Sequence, residues 1–443
     1  MDAKRDLSVK ISGIQYHPLL ESLYEEMHSR PYQVIPCPAH ITHFVLLSDE
    51  TQKAQQFKHL QQLFEFFGQP APTADKVNLQ LETKNFRVRR EVHLEFTAFT
   101  FVSLQATTAP FESTGLTPLP QGWLEALPGM VVANFHLALQ CIDEQDEQLI
   151  SKAKESFEGL RLVGSSPQNG AARVWTSFKQ HSDGFGRFLI GNAQMSDSQI
   201  GRLTQRLIEI ETYRMLTLMA LPLARENSSS LTNMDNQLAV LTHQLACGDD
   251  FSEHGILAQL TSMAAQVEAQ RTRTAFRYSA TFAYYDLVIK RLTELREDEV
   301  SGHLSLTEFI TRRLTPAVNT CRSVSERLES LSKRIDRVSD MMRTKVELSI
   351  QEQNQLLLTS MDRRSHIQLK MQHAVEGLSV AAISYYSIGL VKYIISSFDL
   401  EHFLLSREEL VGLSVPLVIG AVWLMTRRVH SRFKKMDNEP KKA

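Results

Sequence analysis

Histidines are the residues of this sequence best suited to chemistry, and four of them lie near the N-terminus: His17, His28, His40 and His43. The segment HPLLESLYEEMHSRP also contains Arg30, so His17, His28 and Arg30 form a candidate enzymatic motif. A metal site would need three or four histidines to converge, with partners that orient their rings. The histidine spacings match no ligand signature, so we expect no metal and no cofactor.

The sequence gives little evidence of other catalytic nucleophiles or of phosphate-binding motifs. The four cysteines, Cys37, Cys141, Cys247 and Cys321, form no CxxC pair. This spacing suits a reducing compartment and argues against a disulfide framework, so each cysteine is expected to be a small buried hydrophobic residue. The sequence contains no GxSxG, HExxH or Walker motif, which disfavours an enzyme without excluding one.

The composition is that of a globular protein with room for two or three domains. Of the 443 residues, 43% are hydrophobic and 22% are charged, and the net charge is −2. A charge so close to zero gives no reason to expect a nucleic-acid partner.

Two apolar runs near the C-terminus predict a pair of membrane helices. The first covers residues 377–398 and includes Lys392, whose long side chain can reach an interface. The second covers residues 410–426 and contains Pro416. The uncharged parts, residues 377–391 and 410–426, are each somewhat shorter than the ~20 residues of a typical span. Two buried helices of a soluble domain are therefore the alternative.

Flanking charge predicts the orientation of this hairpin. The second run ends in the basic cluster RRVHSRFKK, and basic clusters remain on the cytoplasmic side. The connection over residues 399–409 is mostly acidic, and the N-terminus lacks a secretory signal. We therefore expect a multi-pass protein of the inner (cytoplasmic) membrane with both termini in the cytoplasm.

The first membrane run is unusually polar for a simple anchor. Ser384, Tyr385, Ser387 and Gly389 lie within it. The hydroxyls need partners in hydrocarbon, and small residues allow helices to approach closely. They would either pack helices together in a homo-oligomer or line a pore.

A heptad pattern precedes the membrane runs. Apolar residues recur at steps of four and three through Leu328, Leu331, Ile335 and Val338, which predicts a coiled-coil seam. Val346, Ile350, Leu357 and Met361 continue the pattern after an extra step of four. Such a seam needs a partner helix, so we expect a homo-oligomer.

The N-terminal third has the alternating patterns of strands, and the middle third those of helices. Asp183-Gly184 predicts a hairpin turn, Ser196 with Gln199 predicts a capped helix, and residues 226–236 predict a loop. The expected fold is an α+β domain, then long helices with a coiled-coil stalk, then a two-helix transmembrane hairpin. The expected domains are a cytoplasmic domain at 1–195, a helical bundle at 196–316, a stalk at 317–376, spans at 377–398 and 410–426, an external loop at 399–409 and a basic tail at 427–443.

Segments spread over nearly the whole chain resemble an uncharacterised bacterial family of predicted membrane-anchored proteins. The matching segments are HPLLESLYEEMHSRP, PCPAHITHFVLL, GAARVWTSFKQHSDGFGRFLI, RLIEIETYRMLTLMALP, RRLTPAVNTC and VEGLSVAAISYY. This resemblance implies membrane attachment and supplies no catalytic residue.

The layout of the chain also resembles the CorA-type divalent cation transporters, which combine a cytoplasmic domain, a stalk helix and two C-terminal spans. Their first span ends in a Gly-Met-Asn signature, whereas this sequence reads YIISSF at residues 393–398. Similarity of layout is an analogy and does not establish function.

Three functions remain open from the sequence. The first is a non-enzymatic scaffold or regulatory protein anchored in the lipid bilayer, with an unknown protein partner. The second is a CorA-like transporter or channel with a pore near Ser384, Tyr385, Ser387 and Gly389. The third is an enzyme built on His17, His28 and Arg30.

Overall fold

The computed structural model describes residues 15, 17–20, 23–24, 32–105, 107, 109–142, 154–247, 253–397 and 407–437. The chain forms two compact units, Met1–Ser339 and Asp340–Ala443.

Nine strands and six long helices make up the described part of the chain. The strands are β1 (Ala39–Leu47), β2 (Asn78–Glu82), β3 (Phe86–Val92), β4 (Phe96–Ser103), β5 (Met130–Cys141), β6 (Val163–Pro167), β7 (Ala172–Thr176), β8 (Gly186–Asn192) and β9 (Glu297–Glu299). The helices are α1 (Glu50–Phe66), α2 (Asp197–Leu218), α3 (Ala220–Cys247), α4 (Glu253–Leu295), α5 (Leu306–Ser396) and α6 (Arg407–Asp437).

All nine strands belong to one sheet in the order β2-β3-β4-β1-β5-β8-β7-β6-β9. Neighbouring strands are antiparallel except for β5 and β8, which are parallel. The turn between β7 and β8 contains Gly184 at φ +81°, a conformation that glycine adopts readily. The predicted hairpin at Asp183-Gly184 is confirmed.

The two faces of the sheet have separate hydrophobic cores. One face contributes Ile41, Phe135 and Ile190 to a core shared with residues of α2, α4 and the first turns of α5. The opposite face packs Phe44 and Phe101 against α1 and against the segment that contains Trp123. Loops as well as helices therefore cover the second face.

Local signals explain the start of α2. The Ser196 side chain accepts a hydrogen bond from the backbone of Gln199, whose side chain bonds back to the Ser196 backbone. This is the predicted capping box, and it satisfies amides that have no partner within the helix.

The loop predicted at residues 226–236 is wrong, because this segment lies inside α3. Asn227 is buried and donates a hydrogen bond to the Tyr278 hydroxyl of α4 at 3.2 Å. Leu231 and Met234 are buried as well. Tertiary packing of one helical face outweighs the poor helix propensity of the Ser and Asn residues.

Helices α3, α4 and the first part of α5 form a three-helix bundle. Asp235 of α3 pairs with Arg327 and Arg334 of α5, and Arg271 of α4 pairs with Glu329 of α5. Long helices thus follow the α+β part of the chain, as the sequence predicted.

In the second unit, α5 continues without interruption to Ser396, and α6 is apolar over residues 408–429. The predicted fold class is confirmed in these terms: an N-terminal α+β region, then long helices, then an apolar C-terminal helix.

Candidate functional site

Two helices in the described part of the chain, α5 and α6, are long and apolar enough to cross a membrane. Only 6% of the most apolar stretch of α5 is buried, and none of that of α6. Core helices of soluble proteins bury their apolar side chains, whereas the apolar side chains of these two helices are exposed in the described part of the chain.

The polar and small residues predicted to pack helices or line a pore differ in their exposure. The Ser384 side chain is buried, and its hydroxyl has no hydrogen-bond partner among the described residues. Tyr385 is 76% exposed, and a Cβ at Gly389 would contact no described atom within 4 Å. Ser387 is partly buried. Ser384 and Ser387 are therefore less exposed than the intervening Tyr385.

The candidate N-terminal motif is only partly described. His17 is exposed, and its Nδ1 accepts a hydrogen bond from the Leu19 amide at 3.2 Å. His28 and Arg30 lie outside the described residues.

The residues of the predicted coiled-coil seam are buried inside their own chain. Leu328, Leu331, Ile335 and Val338 are at most 6% exposed. Their partners are supplied by the bundle, in which α3 and α4 bury Leu231, Met234, Leu238, Leu260, Met263 and Val267. We call Leu328, Leu331, Ile335 and Val338 the first seam.

A polar row crosses three strands on the loop-covered face of the sheet. Thr42 of β1 lies opposite His136 of β5, which lies opposite Arg187 of β8. The Thr42 Oγ1 is 2.8 Å from His136 Nδ1, and burial lowers the pKa of His136 to about 4. The Arg187 guanidinium pairs with Asp183 at 2.7 Å and lies 3.4 Å from Glu158. The Arg187 guanidinium therefore already interacts with two carboxylates, so it is not free to bind an external anion.

Beside this row, three side chains are arranged in the order of a serine–histidine–acid triad. Ser177 Oγ is 3.0 Å from His181 Nε2, and His181 Nδ1 is 3.4 Å from Glu158 Oε2. A nucleophilic serine must be reached by its substrate. Ser177 and His181 are only 4% and 6% exposed, and Ser177 also accepts a hydrogen bond from the Lys179 amide. The geometry is that of a buried turn rather than of an open active site.

His43 belongs to a separate buried network on the helix-covered face. Its Nδ1 is 2.9 Å from Thr100 Oγ1, and its Nε2 is 3.3 Å from Thr212 Oγ1 of α2. Burial lowers the pKa of His43 to about 3. Among the residues that the structure describes, no group of three or more His, Cys, Asp or Glu side chains could hold a metal ion.

The prediction of small buried cysteines without a disulfide is wrong for three of the four, Cys37, Cys141 and Cys247. Cys37 and Cys141 form a disulfide across the ends of β1 and β5, with their Cα atoms 6.1 Å apart. Residues 39 and 139 are paired in the ladder, so positions 37 and 141 are opposite one another as well. Cys321 is buried as expected, and Cys247 is exposed.

Sequence reasoning missed the grouping of Thr42, His136 and Arg187. Each lies on a strand whose alternation was recognisable, but strand order decides which residues become neighbours. The parallel pairing of β5 with β8 joins elements separated by a crossover, and no local signal specifies it.

Comparison with protein families gives a match over residues 15–433 to a family described as a protein of unknown function (DUF3422). The chain belongs to this family. The expected membership in an uncharacterised family is therefore confirmed. No curated protein matches the sequence. The description of the DUF3422 family names no activity, ligand or partner.

Proposed function

We propose that the protein is anchored in the inner membrane by the apolar parts of α5 and α6, with both termini in the cytoplasm. There it acts as a non-enzymatic scaffold or regulatory protein in a homo-oligomer.

The observation that carries this proposal is the exposure of large apolar side chains along both helices. Leu378, Leu390 and Ile394 of α5 are 58–74% exposed, and Leu413, Leu417 and Met425 of α6 are 65–71% exposed. Side chains of this kind are stable in hydrocarbon and costly in water. A bilayer would cover both helices without further protein.

The charges at the ends of the helices support the proposed orientation. Arg427 and Arg428 begin the basic cluster after the second run, and the Arg427 guanidinium lies over the Trp423 ring at 5.0 Å. Tryptophan beside arginine is common at a membrane interface, and basic clusters remain cytoplasmic. Glu408 and Glu409 at the start of α6 would face the other side.

A non-enzymatic role is supported by the state of the polar groups in the first unit. Arg187 is neutralised by two carboxylates, and the hydroxyl of the Ser177–His181–Glu158 group is buried. The Arg187 charge is therefore paired within the fold, and a substrate would not reach the Ser177 hydroxyl.

Membrane fractionation tests the anchor. The full-length protein and the control Leu417→Ala should remain in membranes after an alkaline wash. Leu417→Asp should weaken retention, because a carboxylate near the middle of a span costs about 3 kcal/mol. Release of the unaltered protein by the alkaline wash would refute the anchor.

Labelling with a membrane-impermeant maleimide tests the orientation. In a Cys247→Ser background, Glu408→Cys should react in spheroplasts, and Ser431→Cys only after permeabilisation. The reverse pattern, or a reporter fused after Ala443 that is active only in the periplasm, would contradict cytoplasmic termini.

A further inference from the structure

A row of apolar side chains on α5 remains exposed between the bundle and the first apolar run. Its members, which we call the second seam, are Ile350 (52% exposed), Leu357 (62%), Met361 (65%), Met371 (66%), Val375 (63%) and Leu378 (74%). The first seam is covered by α3 and α4, whereas no described residue covers the second.

The second seam follows a heptad spacing. Starting at Ile350, steps of four and three lead through Asn354, Leu357, Met361, Arg364, Gln368, Met371, Val375 and Leu378. In heptad notation Ile350 and Leu357 are d positions, and Asn354 and Met361 are a positions. A regular 3.5-residue repeat places all of these side chains on one stripe of a helix.

We propose that the second seam binds the second seam of another copy of this chain, forming a parallel two-stranded coiled coil. This inference rests on the proposed function, since it takes the membrane anchor as given. Asn354 supports a two-stranded arrangement, because a single asparagine at an a position specifies register and strand number in such coils.

The membrane anchor is the reason to expect that the second seam pairs with another copy of the chain, and that the two copies run parallel. The second seam ends at Leu378, one residue after the first apolar run begins at Gly377. Two copies inserted in the same orientation hold this stripe parallel and at the same height above the bilayer. Each copy then presents the other with the same spacing of apolar residues.

The flanking positions permit pairing of identical chains. The e and g positions beside the seam would meet their counterparts on the second copy, and like charges there would repel. None of them is charged: they are Gln351, Gln353, Leu358, Ser360, Ser365, Ile367, Gln372 and Ala374. At these flanking positions a copy of the same chain therefore meets no like charge, and Arg364 is the one charged residue among the a and d positions from Ile350 to Leu378.

Cysteine cross-linking in native membranes tests this arrangement. In full-length protein with Cys247→Ser, Leu357→Cys and Met371→Cys should form disulfide-linked dimers on mild oxidation. The control Thr359→Cys lies at an f position on the outer side of the same turn and should not. A cross-link between identical positions requires parallel chains in register. Equal cross-linking at Thr359→Cys, or none at Leu357→Cys and Met371→Cys, would overturn the proposal.

Native mass measurement in detergent provides an independent readout. The unaltered protein should be a dimer, and a monomer, trimer or larger ring would overturn two-stranded pairing. Leu357→Asp with Met361→Asp should weaken the dimer by about a hundredfold or more, because each aspartate would bury an unpaired charge. Thr359→Asp should not.

An alkaline wash of the same membranes separates the two proposals. If the protein stays in the membrane but Leu357→Cys and Met371→Cys do not cross-link, the pairing fails and the anchor stands. If the protein is released, the anchor itself fails.

Discussion

The carboxylate of Glu297 accepts hydrogen bonds from the backbone amides of Leu306 and Thr307, at 3.1 and 2.7 Å. It also accepts one from the Ser165 hydroxyl at 2.6 Å. Glu297 lies on β9 at the edge of the sheet, and Leu306 is the first residue of α5. One side chain therefore joins the sheet to the start of the 91-residue helix.

Replacing Glu297, whose carboxylate caps the first amides of α5, should destabilise the first unit. Glu297→Ala leaves two helix-terminal amides and a buried serine without their acceptor, at a cost of about 1–2 kcal/mol. The free energy of unfolding and the hydrogen exchange of residues 306–310 would measure the effect. Glu299→Ala, on the exposed end of the same strand, is the control and should change neither quantity.

Aspartate in the first seam should lower folding stability whatever the oligomeric state. Leu331 is 1% exposed within its own chain, so Leu331→Asp places a charge in the core of the bundle. We expect a loss of about 3 kcal/mol or more, and a larger one when Ile335→Asp is added. Ser330→Asp, at the neighbouring exposed position, should cost less than about 0.5 kcal/mol. Equal thermal unfolding of Leu331→Asp and Ser330→Asp would show that the seam is not packed.

His136 should make stability depend on pH in the acidic range. Its pKa is lowered to about 4 in the folded protein, so the unfolded chain binds the proton more tightly. The stabilisation is complete above the unfolded pKa of about 6.5 and is lost as pH falls towards 4, by roughly 3 kcal/mol in total. His136→Gln should make stability depend less on pH in this range. The measurement is the unfolding temperature of both proteins from pH 7 to pH 4. An unchanged slope would contradict the assignment.

The Ser177–His181–Glu158 group should not act as a nucleophile. Because Ser177 is 4% exposed, a fluorophosphonate probe should label the protein no more than it labels Ser177→Ala. Labelling that disappears in Ser177→Ala, and also in His181→Ala, would refute a non-enzymatic role. Heat-denatured protein provides the background for non-specific reaction.

The serines of the first apolar run should not support ion transport. The Ser384 hydroxyl is buried without a partner among the described residues, so Ser384→Ala should change stability by less than about 1 kcal/mol. Reconstituted vesicles with the unaltered protein, Ser384→Ala or Ser387→Ala should all show Mg²⁺ and Co²⁺ flux at background. Saturable uptake by the unaltered protein that the serine variants lose would favour the CorA-like alternative.

The elements with strong local signals could be predicted from the sequence. The capping box at Ser196 and the turn at Asp183-Gly184 were both found where expected, because each depends on residues within a few positions. The short strands β6 and β9 have no recognisable alternation, so the sequence alone does not indicate them. The polar segment of α3 was misread because its helix depends on Asn227 and Leu231 meeting residues far along the chain.

The polar groups of the sheet could not have been predicted in the same way. Cys37 and Cys141 are separated by 104 residues, and Glu158 reaches His181 only through the packing of a loop. Such contacts follow from strand order and register, which depend on the whole fold. The two apolar runs are easier to recognise as candidate spans, because that test uses only length and composition.

The absence of proline and glycine between residues 317 and 376 of α5 has a consequence for how this helix can vary in length. A regular helix turns by about 100° per residue. One residue inserted into α5 within the second seam would therefore rotate the part before it by about 100° relative to the first apolar run. Seven inserted residues would return it to within about 20°. Insertions or deletions of seven residues therefore preserve the direction of the second seam relative to the first apolar run. These are the changes of length that α5 should tolerate.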